Sequence, residues 1–332
     1  MTKRVVKAVG SPWGQRITLL VIICIVMIVL EPRFFRVENA KGILLAIAVN
    51  GIMACGMLFT VLVGGMDLSV GSMAGISASI AFVISKDNDF SGSGFALGCA
   101  VALALCLVSG FINGFFVTKF SLPAFVVTLA MKYILYGSIY MVTRSFFVIP
   151  PVQSMASRFG NASIFGIPMP IVIFVIVVAV SAFVLGISTY GRKLYAIGGN
   201  KNVANLAGIK SNLNIMIAYM LSSVLAGLGG VLLASMNGQA GQTTAINYEG
   251  NVLMAMVVGG INLAGGEGGV PGAIFGALLV GVINNAMLML SISSDIQKFV
   301  QGVIILAAMT LNMYAKRGSS GAFKVRIAGK KA

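Results

Sequence analysis

Apolar segments of about the length that crosses a lipid bilayer follow one another along nearly the whole chain. Of its 332 residues, 58% are hydrophobic and only 9% are charged, whereas a soluble domain carries about 25% charged residues. About twenty consecutive apolar residues form a helix long enough to cross the hydrocarbon core. Inside that core a helix satisfies all of its own backbone hydrogen bonds. The sequence therefore predicts an all-α, polytopic integral membrane protein.

Ten such segments can be drawn, so about ten transmembrane helices are expected. The third follows Gly64-Gly65 and ends near residue 85, and the eighth, 251–263, is too short to cross a bilayer alone. These two are the least regular of the set. The other eight segments are 17–30, 43–63, 95–117, 124–142, 171–187, 214–235, 273–291 and 296–313.

The basic residues predict the orientation of these helices. With both termini in the cytoplasm, fifteen of the 23 Lys and Arg residues lie on the inner side and seven on the outer side, which agrees with the excess of positive charge in cytoplasmic loops. The chain then divides into a cytoplasmic tail (1–16), a permease domain (17–314) and a basic cytoplasmic tail (315–332). The long periplasmic loop 144–168 forms either a small external cap or a solvated connector.

The composition excludes several classes of function. The net charge is +15, but the basic residues are spread over short loops and two tails, so we expect a lipid membrane and no nucleic acid as partner. The chain has no histidine and no cluster of cysteines with metal-ligand spacing, so no metal site is expected. It also lacks a G-x-x-x-x-G-K-[ST] phosphate-binding loop. It is therefore not expected to hydrolyse ATP or to act as an enzyme.

A glycine-rich motif occurs once in each half of the chain. Residues 64–71 read GGMDLSVG and residues 259–266 read GGINLAGG, with four of eight positions identical. Hydrophobic segments interrupted by glycine in both halves of a transporter point to its transport pathway. Alternatively, the glycines only let helices pack closely. A weak internal repeat is the first interpretation, and both stay open from the sequence.

Three segments together resemble one family. GGMDLSVGS at 64–72, GRKLYAIGGNKNVANLAGI at 191–209 and YEGNVLMAMVVGGINLAGGEGGVPG at 248–272 are similar, in the same order, to the permeases of ribose/galactose/xylose-type ABC sugar importers, which include autoinducer-2 permeases. The resemblance runs from about residue 43 to residue 313. It implies a monosaccharide or small polyol as substrate and a multi-pass location in the bacterial inner membrane.

The resemblance also implies partners. A permease of this kind is expected to pair with a second copy or a paralogue, with cytoplasmic ABC ATPase subunits and with a periplasmic sugar-binding protein. ATP and Mg²⁺ are then bound by the ATPase, and this chain binds no cofactor.

The basic segment 190–211 is similar to the family's coupling helix, which docks on the ATPase. The residues agree, because Gly198-Gly199-Asn200 predicts a turn in which Asn200 caps a short helix. Val203 and Leu206 share one face of that helix, and Gly208 can end it. The alternative is a loop with one helical turn that contacts only lipid headgroups. The candidate coupling residues are Arg192, Tyr195, Gly198, Gly199, Asn200, Val203, Leu206 and Gly208.

Polar residues within the predicted spans are few, and amides suit a sugar because its hydroxyls both donate and accept. Ordinary hydrogen bonding between helices is the alternative for each of them. Asp67 is expected to cap the third span, where the helix dipole favours negative charge. The candidate pathway residues are Asn50, Asp67, Asn113, Asn284 and Asn285.

Two positions depart from the family pattern. Relatives often carry Leu-Arg-Gly near the end of the fifth span where this chain has Leu135-Tyr136-Gly137, and Lys132, one turn earlier, can replace the arginine. A charge at a helix centre costs roughly 3 kcal/mol, so Lys132 either snorkels or lines an aqueous space. Glu249-Gly250-Asn251 replaces the usual Glu-Leu-Asp, which puts a role of that site in doubt.

The leading functional hypothesis is thus the permease of an ATP-driven sugar importer. The alternative is an ion-coupled secondary transporter of a small polar solute. Such a transporter needs titratable groups at membrane depth, and only Asp67 and Lys132 qualify.

Overall fold

The computed structural model describes residues 12–310, and helices account for most of them. The predicted tail 315–332 lies outside the described residues. The helices are α1 (Pro12–Leu30), α2 (Val37–Leu62), α3 (Val70–Asp87), α4 (Gly92–Lys119), α5 (Ala124–Thr143), α6 (Met155–Asn161), α7 (Met169–Gly186), α8 (Thr189–Gly199), α9 (Lys201–Leu206), α10 (Ser211–Asn237), α11 (Tyr248–Val258), α12 (Val270–Met289) and α13 (294–310). A 3-10 turn follows α1 at Pro32–Phe35, and the two-residue strands β1 (Ser163–Ile164) and β2 (Ile167–Pro168) form a hairpin.

The polytopic all-α architecture is confirmed. Between residues 12 and 310, six helices are long and apolar enough to cross a membrane, namely α2, α4, α5, α7, α10 and α12. Helices also occupy the other four predicted spans, as α1, α3, α11 and α13. Ten crossings and cytoplasmic termini stay predictions.

Three helices, α2, α3 and α10, form the centre of the bundle. Every residue of α2 from Ile47 to Leu62 is buried, and so is nearly the whole of α3. Small residues bring these backbones together: a Cβ atom on Gly230 of α10 would overlap the carbonyl oxygen of Ala74 on α3. Close van der Waals packing is the main force that holds membrane helices together.

The loop 144–168 contains folded elements, and its role as an external cap stays a prediction. It contains α6 and the β1–β2 hairpin, and it packs on the end of α10, where the Asn161 side-chain amide donates to the carbonyl oxygen of Ser235 at 2.9 Å. Val148 and Ala240 exchange two backbone hydrogen bonds of 2.9 and 3.0 Å. We call this end of the bundle the cap end, and the opposite end, which carries α8 and α9, the coupling end.

The eighth predicted span is a broken segment. It was expected at 251–263, but α11 ends at Val258 and residues 259–269 form a glycine-rich loop at the coupling end. Residues 238–247 are not helical, and they run from the cap end along α3. The carbonyl of Thr244 lies beside Gly75, and that of Ala245 lies beside Gly71. The short α11 is therefore prolonged by irregular backbone on both sides, which is tolerated because protein covers it.

Helix α1 begins before the first predicted span, and residues 1–11 of the predicted N-terminal tail lie outside the described residues. α1 already begins at Pro12, so residues 12–16 belong to a helix. The Trp13 ring packs edge-on against Phe275 with ring centroids 5.7 Å apart, and the Arg16 guanidinium lies 5.1 Å from the centre of the Trp13 ring. These contacts fix the start of α1 to α12.

The packing predicts opposite effects for one substitution at two helical glycines. We expect Gly230→Ala to lower the thermal stability of the detergent-purified protein, because overpacking costs about 1–3 kcal/mol. Gly137→Ala is the control, since a Cβ atom there meets nothing within 4 Å and alanine stabilises a helix relative to glycine by up to about 1 kcal/mol. Equal melting temperatures for the two variants would contradict the close α3–α10 approach.

Candidate coupling and transport site

The predicted coupling segment folds as two short helices, α8 and α9. Ser188 caps α8 by accepting a hydrogen bond from the Gly191 N–H at 3.1 Å. Leu194 and Ile197 are buried on one side of α8 and anchor it to the bundle. The apolar side of this otherwise basic helix therefore holds α8 against the coupling end of the bundle.

Three glycine-containing segments meet at the C-terminal end of α8. The Gly266 N–H donates to the carbonyl oxygen of Leu62 at 2.9 Å. A Cβ atom on Gly198 would overlap that same oxygen and the Gly266 nitrogen, and one on Gly265 would lie 2.7 Å from the Gly64 nitrogen. We call this contact, formed by residues 62–65, 198–199 and 265–266, the glycine junction. The two similar motifs of the sequence thus touch each other as well as α8.

A tyrosine strengthens the glycine junction. The Tyr195 hydroxyl donates to the carbonyl oxygen of Gly268 at 2.9 Å, and partial burial raises the pKa of Tyr195, which keeps its proton on the phenol. Asn262 shapes the same loop, because its side chain accepts from the Ala264 N–H at 3.2 Å and donates to the carbonyl oxygen of Gly265 at 3.1 Å. The loop is therefore held in one conformation against α8.

The helix α9 has the features that the sequence predicts, with one correction. Asn200 caps it, since its side-chain oxygen accepts from the N–H groups of Asn202 and Val203 at 3.0 and 3.2 Å. Gly208 follows the helix with φ +81°, a conformation that favours glycine. The predicted turn at Gly198-Gly199 is wrong, because both residues close α8.

Two large apolar side chains share an exposed face of α9. Val203 is 60% exposed and Leu206 is 90% exposed, whereas Ala204 on the opposite side is buried. Arg192 does not join this face, because its guanidinium donates back to the carbonyl oxygen of Ile187 at 2.8 Å. Val203 and Leu206 are thus the exposed apolar side chains of α9, beside the exposed polar residues Lys201, Asn202 and Asn205.

Asp67 lies fully buried in a polar cluster beside the glycine junction. Its carboxylate accepts from the Ser69 backbone N–H at 3.0 Å and from the Ser222 hydroxyl on α10 at 2.8 Å. The Asn113 amide of α4 donates to the Ser69 hydroxyl at 3.2 Å. Asp67 stands two positions before Ser69, the N-cap residue of α3, and accepts from its N–H, so a capping role of Asp67 at the start of α3 stays a prediction. Its role is to tie the start of α3 to α10.

The remaining pathway candidates are not brought to one cavity. Asn285 exchanges side-chain hydrogen bonds with Asn39 of α2 at 2.9 and 3.0 Å, and Asn284 donates to Asn251 of α11 at 3.1 Å. Asn50 is buried within α2. These contacts match the alternative in which amides join helices.

A cleft on the side of α5 brings together Lys132 and Glu249, which the sequence analysis names separately and does not pair. The Lys132 ammonium forms an ion pair with the Glu249 carboxylate at 2.6 Å, and their side chains are 29% and 11% exposed. The cleft measures about 160 Å³ and is also lined by Ser72, Tyr136 and Thr244. Lys132 and Glu249 are 117 positions apart in the sequence. The only signal for their pairing was that few acids in or beside the spans could serve as a partner for Lys132.

Comparison with known proteins decides the family. The family model described as the branched-chain amino acid transport system, permease component, matches residues 39–309. The chain belongs to this permease family. It is therefore a non-catalytic component of a transport system.

Curated relatives resemble the permease over nearly its full length. The ribose import permease of Haemophilus influenzae is 35% identical over 302 residues, which cover 90% of this chain and 92% of the relative. The ribose import permease of Escherichia coli is 36% identical over 299 residues, which cover 89% of this chain and 92% of the relative. The L-arabinose transport permease of Escherichia coli is 34% identical over 313 residues, or 93% of each chain. No solved structure matches.

The glycine junction makes a prediction for two adjacent residues of the permease. We expect Gly198→Ala to lower thermal stability and to expose α8–α9 to limited proteolysis, since its Cβ atom would overlap backbone atoms of two other segments. Gly199→Ala should leave both properties unchanged, because a Cβ atom there meets nothing within 4 Å. If Gly198→Ala behaved like Gly199→Ala, the close approach would be refuted.

Proposed function

We propose that this permease carries a monosaccharide, such as a pentose, across the bacterial inner membrane as the transmembrane subunit of an ABC importer. The observation that supports this is the match to ribose and L-arabinose permeases over about nine-tenths of this chain and of each relative. Energy comes from ATP and Mg²⁺ bound by a separate cytoplasmic ATPase.

The coupling end receives the ATPase in this proposal. Val203 and Leu206 form an exposed apolar face on a helix that protrudes from the bundle, and large apolar side chains of this kind act as anchors in partner pockets. Four basic residues flank the face in the segment from Arg192 to Lys210, with no acid among them. The partner groove is therefore expected to be apolar at its centre and acidic at its rim.

The glycine junction transmits the motion of the ATPase. α8 contacts both glycine-rich loops through backbone atoms, and these loops lead directly into α3 and α12. A displacement of α9 therefore reaches two helices of the bundle without passing through flexible side chains. Among the candidate coupling residues, Gly198 and Tyr195 act inside the permease, while Val203 and Leu206 act on the partner.

The cap end faces the periplasm and receives the sugar-binding protein. Its hairpin carries Phe165, which is fully exposed, on a segment that is folded against α10. A second permease, either another copy or a paralogue, completes the pathway. Both termini then lie in the cytoplasm.

An ion-coupled secondary transporter is less well supported. Asp67 is fully buried and bound by two serines, and Lys132 is paired with Glu249. Asp67 is therefore closed to bulk water, and the charge of Lys132 is neutralised by its partner. Membership in an ABC-type permease family also favours ATP as the source of energy.

The proposed function is tested by uptake in proteoliposomes that contain the permease, its ATPase and its binding protein. We expect accumulation of radiolabelled D-ribose or L-arabinose only when ATP and Mg²⁺ are supplied on the ATPase side. Uptake that persists without ATP and stops when ion gradients are collapsed would establish the secondary transporter instead.

The docking surface is tested by one substitution at each end of the bundle. Leu206→Asp should abolish co-purification of the ATPase, because it places a charge in an apolar anchor position. Phe165→Asp is the control, since it makes the same change at the cap end and should leave the ATPase bound. Retention of the ATPase by the Leu206→Asp variant would contradict docking through α9.

A further inference from the structure

The cleft beside α5 has the chemistry of a solute-binding site. We propose that the Lys132–Glu249 pair, together with Tyr136 and Thr244, contacts a neutral polyhydroxylated solute during its passage through the permease. This inference rests on the proposed function, since it names a place on the path of the transported sugar.

The position of the ion pair requires contact with water or a polar solute. Lys132 lies near the middle of the 20-residue α5, a helix that is long and apolar enough to cross the membrane. A charged group at such a depth is unfavourable in lipid and usually lines an aqueous cavity or a transport path. Lys132 is paired, yet its side chain remains 29% exposed, so the pair borders an open space.

The groups around this space match the hydrogen bonding of a sugar. The Lys132 ammonium has three donor hydrogens, of which Glu249 takes one. The Tyr136 hydroxyl shares one hydrogen bond with Tyr140 at 3.0 Å, and the Thr244 hydroxyl accepts from the Gly241 N–H at 3.0 Å. Each hydroxyl keeps further capacity for a hydrogen bond to a sugar hydroxyl. Gly71 leaves room for the carboxylate, since a Cβ atom at that position would overlap a Glu249 oxygen.

The charge balance of the cleft selects a neutral solute. Lys132 and Glu249 neutralise each other at 2.6 Å, and no other charged residue lines this cleft. The Glu249 carboxylate would repel a sugar phosphate, and the Lys132 ammonium would repel an organic cation. The volume of about 160 Å³ is below the roughly 300–1,000 Å³ of pockets that hold larger ligands, so a single sugar ring is a better fit than an oligosaccharide.

The backbone around the cleft can also respond to coupling. Glu249 lies in the first turn of α11, directly after the irregular segment 238–247. The other end of α11 leads into the loop that forms the glycine junction. A displacement of that junction can therefore move Glu249 relative to Lys132 on α5, which would open or close the site.

The inference is tested in the assembled importer by uptake of D-ribose or L-arabinose and by ATP hydrolysis stimulated by the loaded binding protein. We expect Lys132→Gln and Tyr136→Phe to lower uptake at least about tenfold, the value of one hydrogen bond to a charged group, while stimulated ATP hydrolysis stays within about twofold. Lys298→Gln is the control, because it breaks an exposed ion pair with Asp295 and should change neither quantity.

The outcomes separate the site from the proposed function. Uptake within about twofold of the unmodified importer in both variants would overturn the site, and so would a parallel loss of uptake, ATP hydrolysis and protein yield in both. If the unmodified importer transports neither sugar with ATP, the proposed function fails, whatever the variants do.

Thiol labelling in the bilayer gives a test that does not depend on transport. In a variant whose native cysteines are replaced by alanine, Tyr133→Cys and Ile134→Cys place thiols on adjacent residues of α5 that are 66% and 61% exposed, but only Tyr133 lines the cleft. We expect a small water-soluble thiol reagent to label position 133 at least about tenfold faster than 134 and the sugar to slow that reaction. Equal rates would overturn the inference.

Discussion

The close approach of three backbone segments at Gly64, Gly198 and Gly266 is the contact on which the rest of the structure depends. Side chains at these positions would separate α8 from the two loops that precede α3 and α12. Because the contact is made by backbone atoms, it has little freedom to adjust. In the proposed function, a partner that moves α9 would therefore move the ends of broken segments in both halves of the chain, and this would drive a permease that has no ATP-binding loop.

Polar groups in the bundle serve two different purposes. Asp67, Ser69 and Ser222 satisfy one another in a cluster closed to solvent, and the asparagine pairs join helices in the same way. The Lys132–Glu249 pair differs because it borders a cleft. Fully satisfied buried polar groups give rigidity, whereas an ion pair with open neighbouring space can exchange partners with a solute. The adjoining cleft therefore distinguishes this pair from the polar residues that join helices.

The sequence predicted what local physics controls. The length of the apolar segments located a helix in each of the ten expected places. Asn200 and Gly208 mark the two ends of α9, because capping and left-handed backbone depend on adjacent residues. The sequence failed where tertiary contacts decide. Gly198-Gly199 continues a helix because neighbouring backbones pack on it, Asp67 binds Ser222 of α10 as well as Ser69 at the start of α3, and Lys132 finds its partner 117 residues away.

We propose that the α8–α9 unit and the glycine-rich loop 259–269 move as one body. The direct measurement is of distances between two spin labels in the assembled importer, with native cysteines replaced. One variant carries labels at Leu206→Cys and Ala264→Cys, and the other at Leu206→Cys and Phe165→Cys. Each distance is measured with and without bound ATP. The account predicts that ATP changes the distance from 206 to 165 at the cap end and leaves that from 206 to 264 unchanged. A change in the 206–264 distance on ATP binding would show that α9 moves independently of the glycine junction and would contradict the account.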